Sequence, residues 1–444
     1  MDKRIVIVGG GSAAWGPKLM LDLLLTPAIS DATYVLHDLN AVNAERIARF
    51  ARRLAADLKA PARVEVEADP DRALSGADFV IITISTGGLD AMAHDLAIPE
   101  RYGIYHTVGD TSGPGGWSRT LRNVPVFVDL AKRIDRVAPD AVILNYTNPM
   151  AQLTKTLCVT TGRPVIGLCH GVFDDLGFLR KVFDLASEDE IQAAYAGLNH
   201  FFWIISLSIR GQDGYTLLRD RLAGRSLPEL LAEVEPGRDG FYLADELFRF
   251  TGLLTYLPDR HTSEFFPQYI TSEKNLAKYH LVRTTVQQRR ENMRRAEQQI
   301  EQATENGIPE RYLKRSRETA ADIIDAFVTG RTFVDVGNTP NIGQVSNVPL
   351  GSVVETPVLV TQTGFRPITT GPLPEPMRTW VERYARVQDL TVEAALAGDL
   401  NRALKALTLD PLVSHLTIGE VEELGLALLR ANARLLPQFA GKLG

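Results

Sequence analysis

The chain has 444 residues, of which 45% are hydrophobic and 23% are charged, proportions typical of a folded globular protein. Its formal net charge of −6 argues against binding to nucleic acid, because a protein needs a basic surface to bind a phosphate backbone. No apolar run reaches the roughly 18 to 20 residues that cross a membrane. We therefore expect a small-molecule partner, with neither nucleic acid nor membrane bound.

Two cysteines, Cys158 and Cys169, are too few to form a disulfide framework in a chain of this length. They favour a reducing compartment and leave a thiol available for chemistry or for a metal. No signal-peptide pattern precedes the first predicted strand, so we expect a cytoplasmic protein. Cys158 falls within a predicted helix, and we assign it to the core.

The first predicted unit is a strand, a glycine-rich turn and an apolar helix. Residues 4–8 are a short β-branched run, and Gly9–Ala14 (Gly-Gly-Gly-Ser-Ala-Ala) follows. This G-x-G-x-x-A pattern lets the backbone approach a pyrophosphate at the helix N-terminus. We predict that Gly9, Gly11 and Ser12 bind a dinucleotide. The alternative is a glycine turn that serves packing alone.

Two later strands favour a nicotinamide cofactor. The strand predicted over residues 33–36 leads to Asp38, an acid that can accept hydrogen bonds from the adenosine ribose hydroxyls. Such an acid disfavours a 2′-phosphate, so NAD is predicted rather than NADP. A buried parallel strand over residues 78–84 carries Thr83 to the same edge of the sheet, where we expect it to contact the cofactor.

Polar residues follow the next two predicted elements. Gly109–Gly116 (Gly-Asp-Thr-Ser-Gly-Pro-Gly-Gly) is predicted to be a loop that closes over cofactor or substrate, with Asp110 as a substrate contact. The alternative is a long turn shaped by Gly and Pro. A buried strand over residues 141–144 ends at Asn145, which either joins the site or caps the next helix. Because ligands bind at the carboxyl ends of parallel strands, Asn148 is predicted to contact the substrate.

A cysteine and two histidines follow two further strand ends. Cys169 and His170 come directly after a strand predicted over residues 164–168, and His200 ends the stretch 195–200. A thiolate and an imidazole suit a borderline divalent metal, and few protein ligands would leave positions open for substrate. Each residue alone is more often a packed or hydrogen-bonded core residue. Cys169, however, emerges at the edge where the nicotinamide is predicted.

A dense titratable cluster lies further along, at Asp259, Arg260, His261 and Glu264. Its neighbours are apolar. Burial beside a metal or another charge shifts the pKa values of such side chains into the range that general acid–base catalysis uses. We predict catalytic roles for Asp259 and His261. The alternative is a capped helix start with an ion pair.

The alternation of strands and helices in the first half is typical of a doubly wound parallel sheet. Beyond about residue 195 the strands lengthen, and the remainder is mainly helical. Long helices are predicted near 272–306, 310–329, 376–398 and 418–436. We therefore predict an α/β protein: a Rossmann-type NAD-binding domain over residues 1–190, then a mixed α+β, largely helical domain over residues 191–444 for catalysis, substrate binding and oligomerisation.

In the order and combination of its motifs the chain resembles glycoside hydrolase family 4, essentially end to end. The motifs are Gly9–Ser12, Gly109–Gly116, Asn145–Met150, Gly167–His170, Gly197–His200 and Asn347–Glu355. The resemblance implies dependence on NAD and on a divalent metal, with manganese(II) expected. It also implies a fold related to lactate and malate dehydrogenases, a homodimer or homotetramer, and metal ligands at Cys169 and His200.

His170 occupies a position at which members of this family differ. In relatives that act on 6-phospho-glycosides an aspartate stands there as general acid, so the resemblance implies that His170 either donates a proton or binds the metal. The sequence from Asp259 to Phe265 resembles the α-galacturonidase subgroup. An α-D-galacturonide is therefore the expected substrate, and Arg260 is expected to pair with its carboxylate.

The reaction that the resemblance implies differs from two-carboxylate glycoside hydrolysis. NAD takes hydride from carbon 3 of the sugar, the aglycone leaves by elimination across carbons 1 and 2, water adds, and the hydride returns. Within the family the alternatives are an α-galactosidase or α-glucosidase and a 6-phospho-glycosidase. Outside it they are an NAD-dependent 2-hydroxyacid dehydrogenase, which has no evident need of Cys169, and an inactive NAD-sensing protein.

Overall fold

The computed structural model describes residues 3–310 and 313–443. All of its named strands belong to one sheet. They are β1 (Arg4–Val8), β2 (Thr33–His37), β3 (Arg63–Val66), β4 (Phe79–Ile82), β5 (Val142–Asn145), β6 (Val165–Gly167), β7 (Ile191–Leu198), β8 (Phe201–Ile209), β9 (Gln212–Asp213), β10 (Phe333–Pro340), β11 (Val353–Thr361) and β12 (Gly364–Pro367).

Helices surround this sheet. They are α1 (Gly16–Leu24), α2 (Ala41–Leu58), α3 (Pro70–Leu74), α4 (Gly88–Glu100), α5 (Gly113–Val137), α6 (Met150–Thr160), α7 (Gly171–Val182), α8 (Gly214–Leu222), α9 (Leu227–Val234), α10 (Tyr242–Thr251), α11 (Asp259–Thr262), α12 (Pro267–Ile270), α13 (Glu273–Lys278), α14 (Val286–Asn306), α15 (Ala320–Thr329), α16 (Met377–Ala397), α17 (Leu400–Thr408) and α18 (Ile418–Ala431). Short 3-10 turns occupy Pro27–Ile29, Glu188–Glu190, Ser263–Phe265, Pro411–Val413, Ala433–Leu435 and Pro437–Phe439.

The first six strands form the doubly wound parallel sheet that the sequence predicts. Their order is β3-β2-β1-β4-β5-β6. Alternate residues of β1 face opposite sides: Ile5 and Ile7 share an apolar cluster with α1 and α2, whereas Val6 and Val8 share one with α5. Helices cover both faces, which is why the central strand β4 is apolar and buried along its whole length. The carboxyl ends of β1, β4, β5 and β6 consequently lie along one edge.

The same sheet continues into the second half of the chain. β10 joins β6 in antiparallel orientation through the pair Asn338–Gly167, and β11 joins β7 through the pair Glu355–Gly197. β8, β9 and β12 complete the sheet. One sheet therefore runs through both predicted domains, and the division near residue 190 stays a prediction.

Two helix boundaries differ from those predicted. The helix expected over 272–306 is two helices, α13 and α14, because the chain leaves the helical path between them, where His280 has a left-handed φ of 51°. The second difference is that α5 begins at Gly113, within the segment Gly109–Gly116 that was predicted to be a loop. Pro114 in its first turn suits a helix start, because that position needs no backbone donor.

The C-terminal helices pack inside the chain. α18 buries Val421, Leu424 and Leu428 in the apolar cluster that includes α5, so its apolar face is used within one protomer, and the oligomeric state stays a prediction. Of the helix predicted over 310–329, α15 forms the second half, and residues 311 and 312 lie outside the described residues. In the part of the chain that the structure describes, no helix is both long and apolar enough to span a bilayer.

α14 connects two parts of the molecule. Near its C-terminal end it packs on α2, where Arg46 forms ion pairs with Glu297 (3.5 Å) and Glu301 (2.9 Å). Near its N-terminal end, Nη2 of Arg289 donates to the carbonyl oxygen of Val108 at 3.2 Å. One helix thus spans from the β2–α2 region to the loop that precedes α5.

Candidate active site

Cys169 and His200, the two predicted metal ligands, meet at the carboxyl edge of the sheet. The Cys169 sulfur lies 3.4 Å from Nε2 of His200, and Nδ1 of His200 lies 3.1 Å from the Thr111 hydroxyl. Cys169 follows β6, whereas His200 lies in the tight turn between β7 and β8 with a φ of 63°. Two strand ends from either side of the predicted domain division therefore build one site.

Asp110 and His261 extend this cluster. Asp110, His200 and His261 each offer a ligand atom, and these atoms lie within 4.8 Å of one another. The ring centroids of His200 and His261 are 4.1 Å apart, and Nδ1 of His261 is buried with no hydrogen-bond partner among the described residues. An oxygen, imidazole nitrogens and the neighbouring sulfur form a donor set that suits a borderline divalent cation. The unpartnered nitrogen fits a site that is completed by a ligand.

Burial and neighbouring charges shift the pKa values of these side chains in different directions. Burial opposes ionisation of Asp110, but Arg119, followed by the two histidines, outweighs it and lowers the pKa of Asp110 below its ordinary value. Burial lowers the pKa of His200 well below the ordinary value and also lowers that of His261. Neutral imidazoles keep a lone pair for a metal or a proton. Burial raises the pKa of the Cys169 thiol, so its thiolate requires a nearby cation.

Arg119, on α5, is a site residue that the sequence did not reveal. Its Nε donates to the carbonyl oxygen of Asn148 (2.9 Å) and its Nη2 to the Ser85 hydroxyl (3.3 Å), while its charge acts on Asp110. Arg119 therefore connects the segments that follow β4 and β5, beside Asp110 and Asn148, the two residues that were predicted to contact the substrate. Oδ1 of Asn148 is buried without a partner among the described residues. A search for a charged residue in the first two turns after the glycine-rich stretch would have found Arg119.

The five residues predicted for the cofactor lie together at the ends of β1, β2 and β4. Gly9 has a φ of 89°, and a Cβ there would stand 2.2 Å from the carbonyl oxygen of Thr83. Gly11 donates its N–H to Asp38 at 3.0 Å, and a Cβ on it would stand 2.9 Å from the same carboxylate oxygen. Ser12 follows, just before α1. Only glycine fits the two tight positions, as expected where a backbone approaches a ligand.

The cluster predicted over residues 259–264 divides among several environments. His261 joins His200, as described above. Asp259 accepts the N–H of Ala244 (3.0 Å) in the first turn of α10, and burial raises its pKa to about 7. Among the described residues no hydrogen bond joins Asp259 to Cys169, His200 or His261, and its catalytic role stays a prediction. Its carboxylate caps a helix, which is the alternative that the sequence left open, although the capped helix is α10.

Glu264 holds the glycine-rich loop in place. Its Oε1 accepts the N–H groups of Val108 (2.9 Å) and Gly109 (2.8 Å) and lies 3.0 Å from Nδ1 of His106. Gly115 donates its N–H to Nε2 of the same ring (3.2 Å), so the ring proton resides on Nδ1 and is donated to Glu264. Both side chains are buried. The backbone just before Asp110 is thereby fixed.

Arg260 and Arg289 place two guanidinium groups beside this loop. Nη2 of Arg260 donates to the carbonyl oxygen of Thr107 (3.0 Å) and to the hydroxyl of Thr284 (2.6 Å), and Arg289 donates to Val108. These acceptors are carbonyl and hydroxyl oxygens rather than carboxylates. Nε of Arg260 is buried without a partner among the described residues. Burial, and then the charge of Arg289, lower the pKa of Arg260, while the charges of Glu264 and Asp110 act in the opposite direction.

His170 faces Glu318. Its Nδ1 lies 3.2 Å from Oε1 of that residue, and the His170 side chain is 43% exposed. The nearby Glu318 carboxylate raises the pKa of His170. A protonated imidazole cannot bind a metal, whereas it can donate a proton. The raised pKa of His170 agrees with proton donation, and the choice between its two predicted roles stays a prediction.

Comparison with known proteins decides the family. The profile described as Family 4 glycosyl hydrolase matches residues 4–185, and the one described as its C-terminal domain matches residues 195–413. The chain belongs to family 4 of the glycosyl hydrolases. It is therefore an enzyme, a glycoside hydrolase, as its motifs predict. The dehydrogenase and the inactive sensor are correspondingly disfavoured.

Several curated relatives are similar over nearly their full length. The Alpha-galacturonidase of Bacillus subtilis is 35% identical over 92% of this chain and 93% of its own. The Alpha-galacturonidase of Thermoanaerobacterium saccharolyticum is 32% identical over 93% and 92%. The Alpha-galactosidase of Rhizobium meliloti is 30% identical over 98% and 90%.

Solved structures confirm the predicted fold class. The Bacillus subtilis protein lplD has a TM-score of 0.89 at 31% identity, over 96% of this chain and 100% of its own. A 6-phospho-alpha-glucosidase from gut microorganisms, solved in complex with NAD and Mn2+, has a TM-score of 0.83 at 20% identity over 98% and 99%. Cryptosporidium parvum malate dehydrogenase has a TM-score of 0.52 at 16% identity over 89% and 99%. The last two likenesses concern the fold alone.

Proposed function

We propose that this family 4 enzyme hydrolyses α-D-galacturonides. The observation that carries the proposal is the pair Arg260 and Arg289 beside the Asp110–His200–His261 cluster. Among the described residues their hydrogen bonds go to carbonyl and hydroxyl oxygens and to no carboxylate, and two neighbouring guanidinium groups of this kind suit an anionic substrate. A uronide offers a carboxylate, which a planar guanidinium binds through parallel hydrogen bonds. Four relatives named Alpha-galacturonidase, at 30% to 35% identity, support the same substrate.

We assign Gly9, Gly11, Ser12, Asp38 and Thr83 to the binding of NAD, which relatives of the same fold contain. When bound, NAD supplies a hydride acceptor for carbon 3 of the sugar and returns the hydride at the end of the cycle. The two glycines admit the backbone to the pyrophosphate. The Asp38 carboxylate, at the end of β2, disfavours a 2′-phosphate by charge.

We assign Cys169 and His200 as ligands of a divalent metal, which is Mn2+ in one relative of the same fold. These residues fit such an ion, since burial keeps His200 neutral and Cys169 needs a cation to ionise. When bound, the metal would supply Lewis acidity to a carbonyl group at carbon 3, and a carbonyl polarised in this way makes the hydrogen on carbon 2 acidic. Asp110, which is ionised, and Asn148, whose Oδ1 is unpartnered, bind those hydroxyls.

We propose that His261 and His170 divide the proton transfers. His261 is neutral and has an unpartnered Nδ1, so it accepts the proton from carbon 2. His170, whose pKa Glu318 raises, donates a proton to the oxygen of the leaving aglycone. We expect His261→Gln to abolish turnover while the affinity for manganese(II), measured by calorimetry, stays unchanged. A loss of manganese affinity would instead make His261 a metal ligand.

Nitrophenyl glycosides test the substrate directly. We expect nitrophenyl α-D-galacturonide to be cleaved only when NAD, manganese(II) and a reductant are present. Sustained NADH formation from a 2-hydroxy acid, without cleavage of any glycoside, would refute a glycosidase. An α-galactosidase is the second candidate, because two relatives at 29% and 30% identity carry that name. Cleavage of the neutral galactoside faster than the uronide would favour an α-galactosidase. Cleavage of 6-phospho-glycosides alone would indicate a 6-phospho-glycosidase.

Arginine variants test the recognition of the carboxylate. We expect Arg260→Gln and Arg289→Gln each to raise KM for the uronide by about 10- to 100-fold, which corresponds to losing a charged hydrogen bond of roughly 1.5–3 kcal/mol. Any turnover of the neutral galactoside should be unaffected. Arg290→Gln is the matched control, because Arg290 lies on the same helix but pairs with Asp90 at the surface. An unchanged KM for the uronide in both test variants would contradict the assignment.

We also propose that the enzyme is cytoplasmic and forms a homodimer or homotetramer. Ile342 and Leu350, in the connection between β10 and β11, are 76% and 75% exposed and provide apolar surface for such contacts. Light scattering on the purified protein measures the assembly directly. A monomer at micromolar concentration would contradict this part of the proposal.

A further inference from the structure

His200 lies in a strained turn. Only Asn199 and His200 connect β7 to β8, and Leu198 pairs with Phe201 on either side of them. His200 has a φ of 63°, a left-handed conformation that costs a residue with a Cβ about 1–2 kcal/mol. Such a conformation persists only where surrounding contacts hold it. The neighbours of the turn must therefore supply those contacts.

Glu355 supplies one of them from β11. Its side chain is fully buried, and its Oε2 accepts hydrogen bonds from the side-chain amides of Asn199 (2.9 Å) and Asn338 (2.8 Å). Its other carboxylate oxygen has no partner among the described residues. A buried carboxylate satisfied on one oxygen only opposes folding. The burial of Glu355 is explained if its side chain holds the neighbouring Cys169–His200 site in place.

Strand pairing connects this carboxylate to both metal ligands. Glu355 pairs with Gly197 on β7, and Asn338 pairs with Gly167 on β6. These two glycines lie three and two residues before the two ligands in the sequence. A Cβ on Gly167 would stand 2.4 Å from the hydroxyl oxygen of Thr154 on α6 and 3.0 Å from the Cβ of Asn338 on β10, so this position has no room for a side chain. Glu355 thus lies where the strands that carry the ligands are joined.

We propose that Glu355 is a positioning residue for the metal site proposed above: by holding Asn199 it fixes the turn that presents His200 to Cys169. It acts on the metal through these residues. Groups that orient metal ligands in this way contribute about 10- to 100-fold to metal affinity. Asp335 on β10 provides a comparison, because it too is a buried carboxylate of this part of the sheet, but its partners are the Val336 backbone and Thr319.

Titration with manganese(II) tests the proposal without using turnover. Calorimetry on the wild type, Asn199→Ala, Glu355→Gln and the double variant gives the four dissociation constants. Asn199→Ala removes the connection, and Glu355→Gln keeps the shape while weakening the hydrogen bond by removing its charge. Asp335→Asn is the matched control. The affinity for NAD, measured in parallel, reports whether each variant is folded.

We expect both single variants to bind manganese(II) about 10- to 100-fold more weakly, and the double variant to bind no more weakly than the weaker single. Asp335→Asn should bind like the wild type, and NAD affinity should be unchanged in all. With cobalt(II) at saturation, Asn199→Ala should retain the thiolate absorption of Cys169 while its ligand-field bands shift as His200 moves.

Three results would overturn the proposal: wild-type manganese affinity in either single variant, multiplicative effects in the double variant, or an equal loss in Asp335→Asn. If one variant does not fold, the other single variant still decides. A wild-type protein that binds no manganese(II) would refute the metal site itself. That outcome is distinct from a wild type that binds the metal and variants that bind it equally well.

Discussion

Asp335 is a buried carboxylate whose ionisation opposes folding. It is 4% exposed on β10, its Oδ1 accepts the N–H of Val336 at 2.8 Å, and its Oδ2 has no partner among the described residues. Burial raises its pKa from 3.8 to about 7. We expect Asp335→Asn, which keeps the shape and removes the ionisable group, to stabilise the protein increasingly as pH rises.

The sign and size follow from the two pKa values. In the unfolded chain the proton leaves near pH 3.8, whereas in the folded protein it stays until pH is about 7. The carboxyl group therefore favours folding below about pH 4, and that contribution is lost as pH rises to about 7. A pKa difference of about 3, at roughly 1.4 kcal/mol each, amounts to about 4 kcal/mol. For 444 residues with an unfolding entropy of about 2 cal/mol/K per residue, this is about 4 °C in Tm.

Melting temperatures of variant and wild type at several pH values between 4 and 8 provide the assay. The difference in Tm should grow by about 4 °C across this range, whatever its value at pH 4. That initial value reflects the new amide donors, which lack an acceptor. Asp140→Asn, at an exposed position, should show no such trend. A difference in Tm that is independent of pH would refute the reasoning about Asp335.

Three further variants test the site itself. Cys169→Ser should abolish manganese binding and turnover while the dissociation constant for NAD stays unchanged; full activity would remove Cys169 from the metal site. Gly9→Ala should weaken NAD binding at least about tenfold, because its Cβ would stand 2.2 Å from the carbonyl oxygen of Thr83 in addition to about 1–2 kcal/mol of backbone strain. Gly76→Ala, with a φ of 68° and no atom within 4 Å of the added Cβ, carries the strain without the clash and should bind NAD normally. Glu264→Gln should lower kcat and cost about 1–3 kcal/mol of stability, since the loop amides lose a charged acceptor; unchanged kcat and unchanged melting would show that the loop does not depend on it.

The sheet and the glycine turn of the predicted cofactor-binding half could be predicted because the residues that determine them lie close together in sequence. Gly9 and Gly11 are required by a turn that is complete within a few residues, and Asp38 lies at the end of the next strand. The alternation of apolar strands and helices determines the parallel sheet without knowledge of distant contacts. These features fall within one β-α-β unit, so pattern and spacing suffice to place them.

The catalytic half depends on contacts between distant segments. Glu355 and Asn199 are separated by 156 residues, and no local pattern indicates that they meet. Asp259 and His261 were predicted to belong to one titratable cluster because only Arg260 separates them in sequence. They lie on the short helix α11, however, where successive side chains point in different directions around the axis. Asp259 consequently caps α10, while His261 reaches His200.

α14 has a consequence for how the two ligands bind. Its C-terminal half is fixed to α2, beside the predicted adenosine end of the cofactor, and its N-terminal half carries Arg289 toward the predicted sugar site. A displacement of this helix therefore alters both sites at once. If one ligand shifts α14, the second ligand meets a changed site, and linkage requires that each alters the affinity of the other by the same factor. Because α14 contacts both predicted ligand regions, any linkage of this kind would pass through this helix.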